Sequence, residues 1–120
     1  MDTVHIFCCS NRFTTDDSFA QFIEPTYTDD GDILDSEFMR EIGLSDDYEP
    51  MAIERMLLNE TAPVSTAITD CSYSAQFVDQ ILLETVADAI ICVYTPNIPR
   101  TPSSTSLSYI GAFTYDRNAG

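Results

Sequence analysis

Lysine is absent from this chain, and so is tryptophan; histidine occurs once, as His5, and glycine only four times. Each shortage excludes a class of function. Without lysine, the positive charge rests on five arginines: Arg12, Arg40, Arg55, Arg100 and Arg117. Against them stand 20 acidic residues, for a formal net charge of −15. A chain this acidic is repelled by nucleic acid and by anionic membrane, whose recognition depends on positive side chains. It is drawn to basic partners, although solubility or a high-salt habitat also accounts for acidity of this kind. The glycines form no pair or cluster, so G-x-G-x-x-G, Walker A and G-x-S-x-G are all missing. Paired carboxylates that perform acid–base chemistry or hold metals usually have companions such as a nucleophile, a phosphate-binding loop, a lysine or a histidine. The expectation is a non-enzyme with no catalytic residue and no cofactor.

Cysteine is sparse and badly spaced for zinc. Cys8, Cys9, Cys71 and Cys92 form no C-x-x-C pair, and His5 is the sole imidazole. Buried, reduced thiols are expected, with no metal. No apolar run approaches the roughly 20 residues that span a bilayer. The opening MDTVHIFCCSNRF lacks a cationic n-region and a long apolar h-region, so the expected location is the cytoplasm.

What the chain does have is enough apolar residue, 44% of 120 positions, to build one domain spanning residues 1–120. The core centres on residues 73–95, YSAQFVDQILLETVADAIICVYT, which contain no Gly, Pro or Arg. In the first half, Phe77, Val78, Ile81, Leu82, Thr85 and Val86 have helical spacing. The second half, 89–94, is a continuous apolar run that suits a strand covered on both faces. The few charges here, Asp79, Glu84 and Asp88, are not where a partner is expected.

Around this centre the pattern predicts a strand at 4–9. A helix follows at 15–24, capped by Thr14 or Thr15, with Phe19, Phe22 and Ile23 on one face and Pro25 at its end. A turn-rich loop at 26–35 carries the Asp30-Gly31 signal. Read as an EF-hand it fails, because Thr26 and Thr28 fall on the first two ligand positions. A second helix runs 35–42, capped by Asp35 or Ser36 and closed by Gly43. From Pro50 a short helix would turn Ile53, Met56 and Leu57 inward, with a strand as the alternative. Residues 63–69 read as a strand, 95–105 as a proline-rich loop, and the alternation around Leu107, Tyr109, Gly111, Phe113 and Tyr115 as a last strand. The expected fold is one α+β domain, α/β-like in places, with a sheet of about four or five strands packed with three helices.

The carboxylates cluster. Eleven of the 20 lie within residues 29–60, offset only by Arg40 and Arg55. Helix N-termini account for Asp16, Asp17, Asp35 and Glu37. They do not account so easily for Asp29, Asp30, Asp32, Asp46 and Asp47. Concentrated charge steers and orients a cationic partner. The expected contact surface is the arc 29–54, comprising Asp29, Asp30, Asp32, Asp35, Asp46, Asp47, Tyr48, Glu49 and Glu54. Tyr27 and Tyr48 are its candidate aromatic anchors.

Read in order, VHIF, DDSFAQFIEPTY, SEFMREIGL, DDYEPMAIE, SYSAQF, ADAIICVY and YIGAFTYD resemble the immunity proteins numbered 22 of bacterial polymorphic toxin systems. The resemblance runs from Val4 to Asp116. The chain departs from the family in having Phe7-Cys8-Cys9 where an aromatic and a glycine are common, and in a longer proline-rich insert. The resemblance implies a cytoplasmic antidote, which binds and neutralises a toxin domain delivered by a contact-dependent or type VI secretion apparatus. A nuclease toxin, with a basic cleft for its substrate, would suit an acidic inhibitor. The alternatives are an acidic nucleic-acid mimic or an adaptor that binds a basic host or phage protein.

Overall fold

The computed structural model describes residues 2–44 and 48–118. Their frame is a four-stranded antiparallel sheet in the order β4-β5-β1-β6, with β1 at Asp2–Cys9, β4 at Ile53–Pro63, β5 at Val86–Tyr94 and β6 at Ser108–Tyr115. A two-stranded hairpin, β2 (Thr26–Tyr27) with β3 (Ile33–Leu34), stands apart from it. Three helices complete an α+β architecture: α1 (Asp16–Ile23), α2 (Glu37–Ile42) and α3 (Val64–Ala67).

β5 lies inside the sheet, paired on one side with β1 and on the other with β4. Every residue from Ala87 to Tyr94 is buried, as the apolar run at 89–94 requires, and Asp88 is buried with them. Alternation along β5 divides the core in two. Ile91 and Val93 face α1 and α2, meeting Phe7, Phe19, Phe22, Phe38 and Ile42. Ile90, Cys92 and Tyr94 face the opposite layer, meeting Val64, Ile68, Phe77, Ile81 and Tyr115.

The helices on the first face form where their caps predict. Thr15 accepts a hydrogen bond from the Ser18 amide at 3.1 Å and opens α1. Ser36 accepts one from the Met39 amide at 3.1 Å and opens α2. Gly43 closes α2 at φ +77°, a left-handed conformation that Gly adopts without strain.

The chain between Pro50 and Val86 differs from its sequence pattern. After a 3-10 turn at Pro50–Ala52, the chain takes the alternative to a helix and runs as strand β4. Ile53 and Leu57 then pack on the α1/α2 face, while Met56 packs on the other. The expected strand at 63–69 is instead helix α3 followed by a 3-10 turn at Ile68–Asp70. Val64 and Ile68 are both fully buried, and their four-residue spacing is that of a helix face as much as of a strand face.

The predicted helix at the start of 73–95 is replaced by two 3-10 turns, Ser74–Gln76 and Val78–Gln80. Tertiary contacts override helical periodicity here. Tyr73 sits at φ +61° with its ring 4.8 Å from that of Tyr115. The Gln76 side chain bonds the backbone of Asp116 in both directions, at 2.8 and 2.9 Å. Phe77 and Ile81 enter the core as expected, whereas Leu82, Leu83 and Val86 remain exposed.

Two irregularities in the sheet shape its surface. Ile6 pairs with Gly111 but Phe7 pairs with Tyr109, so Ile110 is an extra residue in β6. The predicted single face of the last strand is therefore split. Tyr109 packs on the α1/α2 side, and Ile110, Phe113 and Tyr115 pack on the other. In β4 the break is larger: Leu57 pairs with Ala89, and the next pair is Ala62 with Ala87. Residues 58–61 thus bow away from the ladder opposite Asp88.

Candidate functional site

Among the described residues, the carboxylates of the acidic arc separate by what each touches. The hairpin turn supplies its most open part. The Thr28 amide donates to the Asp32 carbonyl at 2.9 Å, the Gly31 amide to the Thr28 carbonyl at 2.9 Å, and the Asp32 amide to the Thr28 hydroxyl at 3.1 Å. Gly31 at φ +87° permits this tight turn. These bonds hold the backbone and leave the carboxylates outside it. Asp29, Asp30 and Asp32 are all exposed, and none pairs with an arginine among the described residues. Tyr27, at the base of the turn, is 66% exposed.

Asp35 follows β3 and is half-buried; its carbonyl accepts from Arg40 Nη1 at 2.7 Å. Asp46 and Asp47 lie outside the described residues. Tyr48 packs against the α1/α2 core, and its hydroxyl donates to the Ile23 carbonyl at 3.4 Å. Burial, reinforced by the charge of Glu24, pushes its phenol up to about 12. Of the two candidate anchors, Tyr27 is displayed and Tyr48 is built into the fold.

Glu49 and Glu54 also have structural occupations. Glu49 caps the Pro50–Ala52 turn by accepting from the Met51 amide at 3.0 Å. Its backbone is clamped by the buried Asn97, whose side chain accepts from the Glu49 amide at 2.8 Å and donates to the Glu49 carbonyl at 2.9 Å. Glu54 points to the opposite face of the sheet from α1 and α2. Its carboxylate accepts from the Ser72 amide at 2.9 Å, from the Ser72 hydroxyl, and from the Tyr94 hydroxyl at 3.1 Å. Burial is the main reason the Tyr94 phenol is held far above its ordinary range, with the charges of Cys92 and Glu54 adding to it.

A second feature lies where β4 bows. A pocket of about 460 Å³ opens between the β1–α1 connection and the bow, lined among others by Asn11, Phe13, Thr14, Leu58, Asn59 and Asp88. Asp88 is 9% exposed. Its Oδ2 accepts from the Asn11 amide at 2.9 Å. Its Oδ1 is buried and receives no hydrogen bond among the described residues. The sequence carried one sign of this site: an aspartate inside an otherwise apolar strand, which cannot be buried cheaply.

Burial raises the Cys8 and Cys9 thiols and disfavours their thiolates, whereas the hydrogen bond from Cys92 draws the Cys71 thiol below its ordinary range. Cys9, at the end of β1, is pushed up to about 11, chiefly by burial, with Arg12 pulling down and Asp88 pushing up. Cys71 and Cys92 are buried with their sulfurs 4.0 Å apart. Among the described residues no group of three or more His, Cys, Asp or Glu side chains gathers to hold a metal ion. Among the described residues no helix is long and apolar enough to cross a membrane.

A family model described as immunity protein 22 matches residues 4–116. Neither a curated protein nor a solved structure matches the chain.

Proposed function

We propose, on the premise that the chain belongs to the immunity protein 22 family, that it neutralises a cognate toxin domain by stoichiometric binding. The observation that carries this reading is the family match, which extends over residues 4–116 and so takes in all of the four-stranded sheet except the first two residues of β1. The inhibitor acts by occupying the toxin and performs no chemistry of its own. It works in the cytoplasm, where a nuclease delivered by a neighbouring cell would meet its substrate.

The exposed carboxylates of the β2–β3 hairpin, Asp29, Asp30 and Asp32, make first contact, with Tyr27 beside them as an anchor. Asp46 and Asp47 extend the same negative field in sequence. A nuclease must present a basic cleft to phosphate, and the same cleft attracts an acidic protein through long-range steering. Glu49, Glu54 and Tyr48 stand outside that first contact, because each is engaged within the fold.

The test is co-expression with the toxin domain encoded beside this gene. Growth should be restored, and the two proteins should elute as one complex from a sizing column. Continued growth arrest in the presence of abundant soluble antidote would refute the reading for that pair. Competition with duplex DNA for several unrelated basic proteins would instead indicate a general nucleic-acid mimic.

A further inference from the structure

We infer that the pocket between the β1–α1 connection and the bow of β4 receives a basic side chain, Arg or Lys, from the partner protein, with Asp88 as its counter-charge. The argument starts from the cost of Asp88. A carboxylate that is nine-tenths buried is stable only when its oxygens are satisfied. One oxygen takes the Asn11 amide at 2.9 Å. The other has no donor among the described residues, and no arginine forms an ion pair with Asp88. Arg12, on the same connection, is committed elsewhere: it bonds Glu37 at 3.0 Å and lies 4.6 Å from the ring centre of Phe22.

The sheet makes room for a guest at this point. Residues 58–61 leave the ladder opposite Asp88, and β1 has no partner for it beyond the Cys9–Ala89 pair. The resulting volume of about 460 Å³ falls within the range of ligand-binding clefts. Its chemistry selects a cation. The charged residues lining it are Asp88 and Asp16, and no Arg lines it. An anion would meet two carboxylates. A bare metal ion would lack a ligand set, since no three-residue cluster forms among the described residues. A guanidinium or ammonium brings its own donors and fits both requirements. Phe13 and Leu57 offer apolar walls for the aliphatic stem of such a side chain.

This rests on the reading that the partner is a basic protein, but its test does not require the toxin. The isotope-labelled full chain is titrated at low salt with N-acetyl-arginine amide, N-acetyl-lysine amide and the neutral N-acetyl-citrulline amide. The expected result is a saturable shift of the Asn11, Asn59 and Asp88 amides with at least one cation and none with citrulline. Asp88→Asn should weaken that binding by about tenfold or more, because a charge-assisted bond becomes a neutral one. Asn59→Trp, at the exposed bow, should weaken it by blocking the mouth, and it leaves the Asp88 cradle untouched should Asp88→Asn fail to fold. Asp79→Asn, which removes one exposed charge elsewhere, should leave it unchanged. Non-saturating shifts spread over the whole acidic surface would overturn the inference. So would undiminished binding in both Asp88→Asn and Asn59→Trp.

Discussion

Replacing Asp29, Asp30 and Asp32 together with Asn tests whether the hairpin steers the partner. The three carboxylates are exposed, and the turn is held by the Thr28 hydroxyl and by backbone bonds of 2.9 Å. Asn can keep that backbone, so the fold should survive. Losing three like charges from a chain of net charge −15 should, if anything, ease self-repulsion. Each exposed charge pair is worth about 0.2–1 kcal/mol. Three such pairs amount to roughly 0.6–3 kcal/mol, or about 3-fold to 150-fold in affinity. Because exposed charges act mainly before contact, most of the loss should appear in the association rate. Stopped-flow association with the cognate toxin, at low and at physiological salt, measures this directly. The variant should associate more slowly and respond less to salt, since the Debye length is only about 8 Å at physiological ionic strength. Urea denaturation should report an unchanged midpoint or a slightly higher one. An unaltered association rate with the same salt dependence would refute the hairpin as the steering surface.

Reversing Asp46 and Asp47 together to Lys should likewise slow association and flatten its salt dependence; unchanged low-salt kinetics would remove those two residues from the contact. Gly43→Ala should destabilise the protein by about 1–2 kcal/mol, the cost of a left-handed L-residue. The new Cβ would also stand 3.0 Å from Arg100 Cβ, so a urea midpoint equal to wild type would contradict the packing at the end of α2. Tyr48→Phe should change the alkaline behaviour. The folded phenol is raised from 10.0 to about 12, so the folded state holds its proton more tightly than the unfolded chain. That stabilisation is complete below pH about 10 and disappears as pH rises toward 12. Between pH 9 and pH 11 the wild type should therefore lose more stability than the Phe variant, and equal losses would show that Tyr48 is not the titrating group.

The parts of the fold that were legible in the sequence are those where one local signal had one meaning. The run at 89–94 became β5 because only a strand inside the sheet, covered on both faces, buries so many consecutive apolar residues. Thr15, Ser36 and Gly43 marked the limits of α1 and α2 because caps are settled by neighbours in sequence. Between Pro50 and Val86 the same apolar spacing had two meanings. Val64 and Ile68 serve equally as one face of a helical turn or as alternate positions of a strand. The 3-10 turns that replace the predicted helix depend on Gln76 and Tyr73 meeting the end of β6, some 40 residues away in sequence. No window of ten or fifteen residues contains that information. The hairpin tip was visible as charge around a turn signal. The tertiary engagement of Glu49 and Glu54 was not, because Asn97 holds the Glu49 backbone, and Ser72 and Tyr94 hold the Glu54 carboxylate, from far along the sequence.

Glu54 and Asp88 show what separates a structural carboxylate from one with a role to fill. Both belong to the β4–β5 ladder region, and both are withdrawn from full exposure, where a carboxylate needs donors. Glu54 pairs with Cys92 in regular register, and it receives donors from Ser72 and Tyr94. Its carboxylate ties Ser72 to Tyr94, whose hydroxyl also donates to the Ser72 carbonyl at 2.8 Å, so its worth is to the fold. Asp88 sits opposite four residues of β4 that step out of register. Closing that bow and replacing Asp88 with an apolar residue would give a continuous ladder and a cheaper core. The chain instead keeps a gap in its sheet, a buried oxygen without a donor and an opening to solvent. Each of the three alone is a defect. Together, in a protein whose task is to bind, they describe a receptor for positive charge. Its lining includes no residue of the hairpin, so steering by exposed carboxylates and selection by a buried one can be separate stages of recognition.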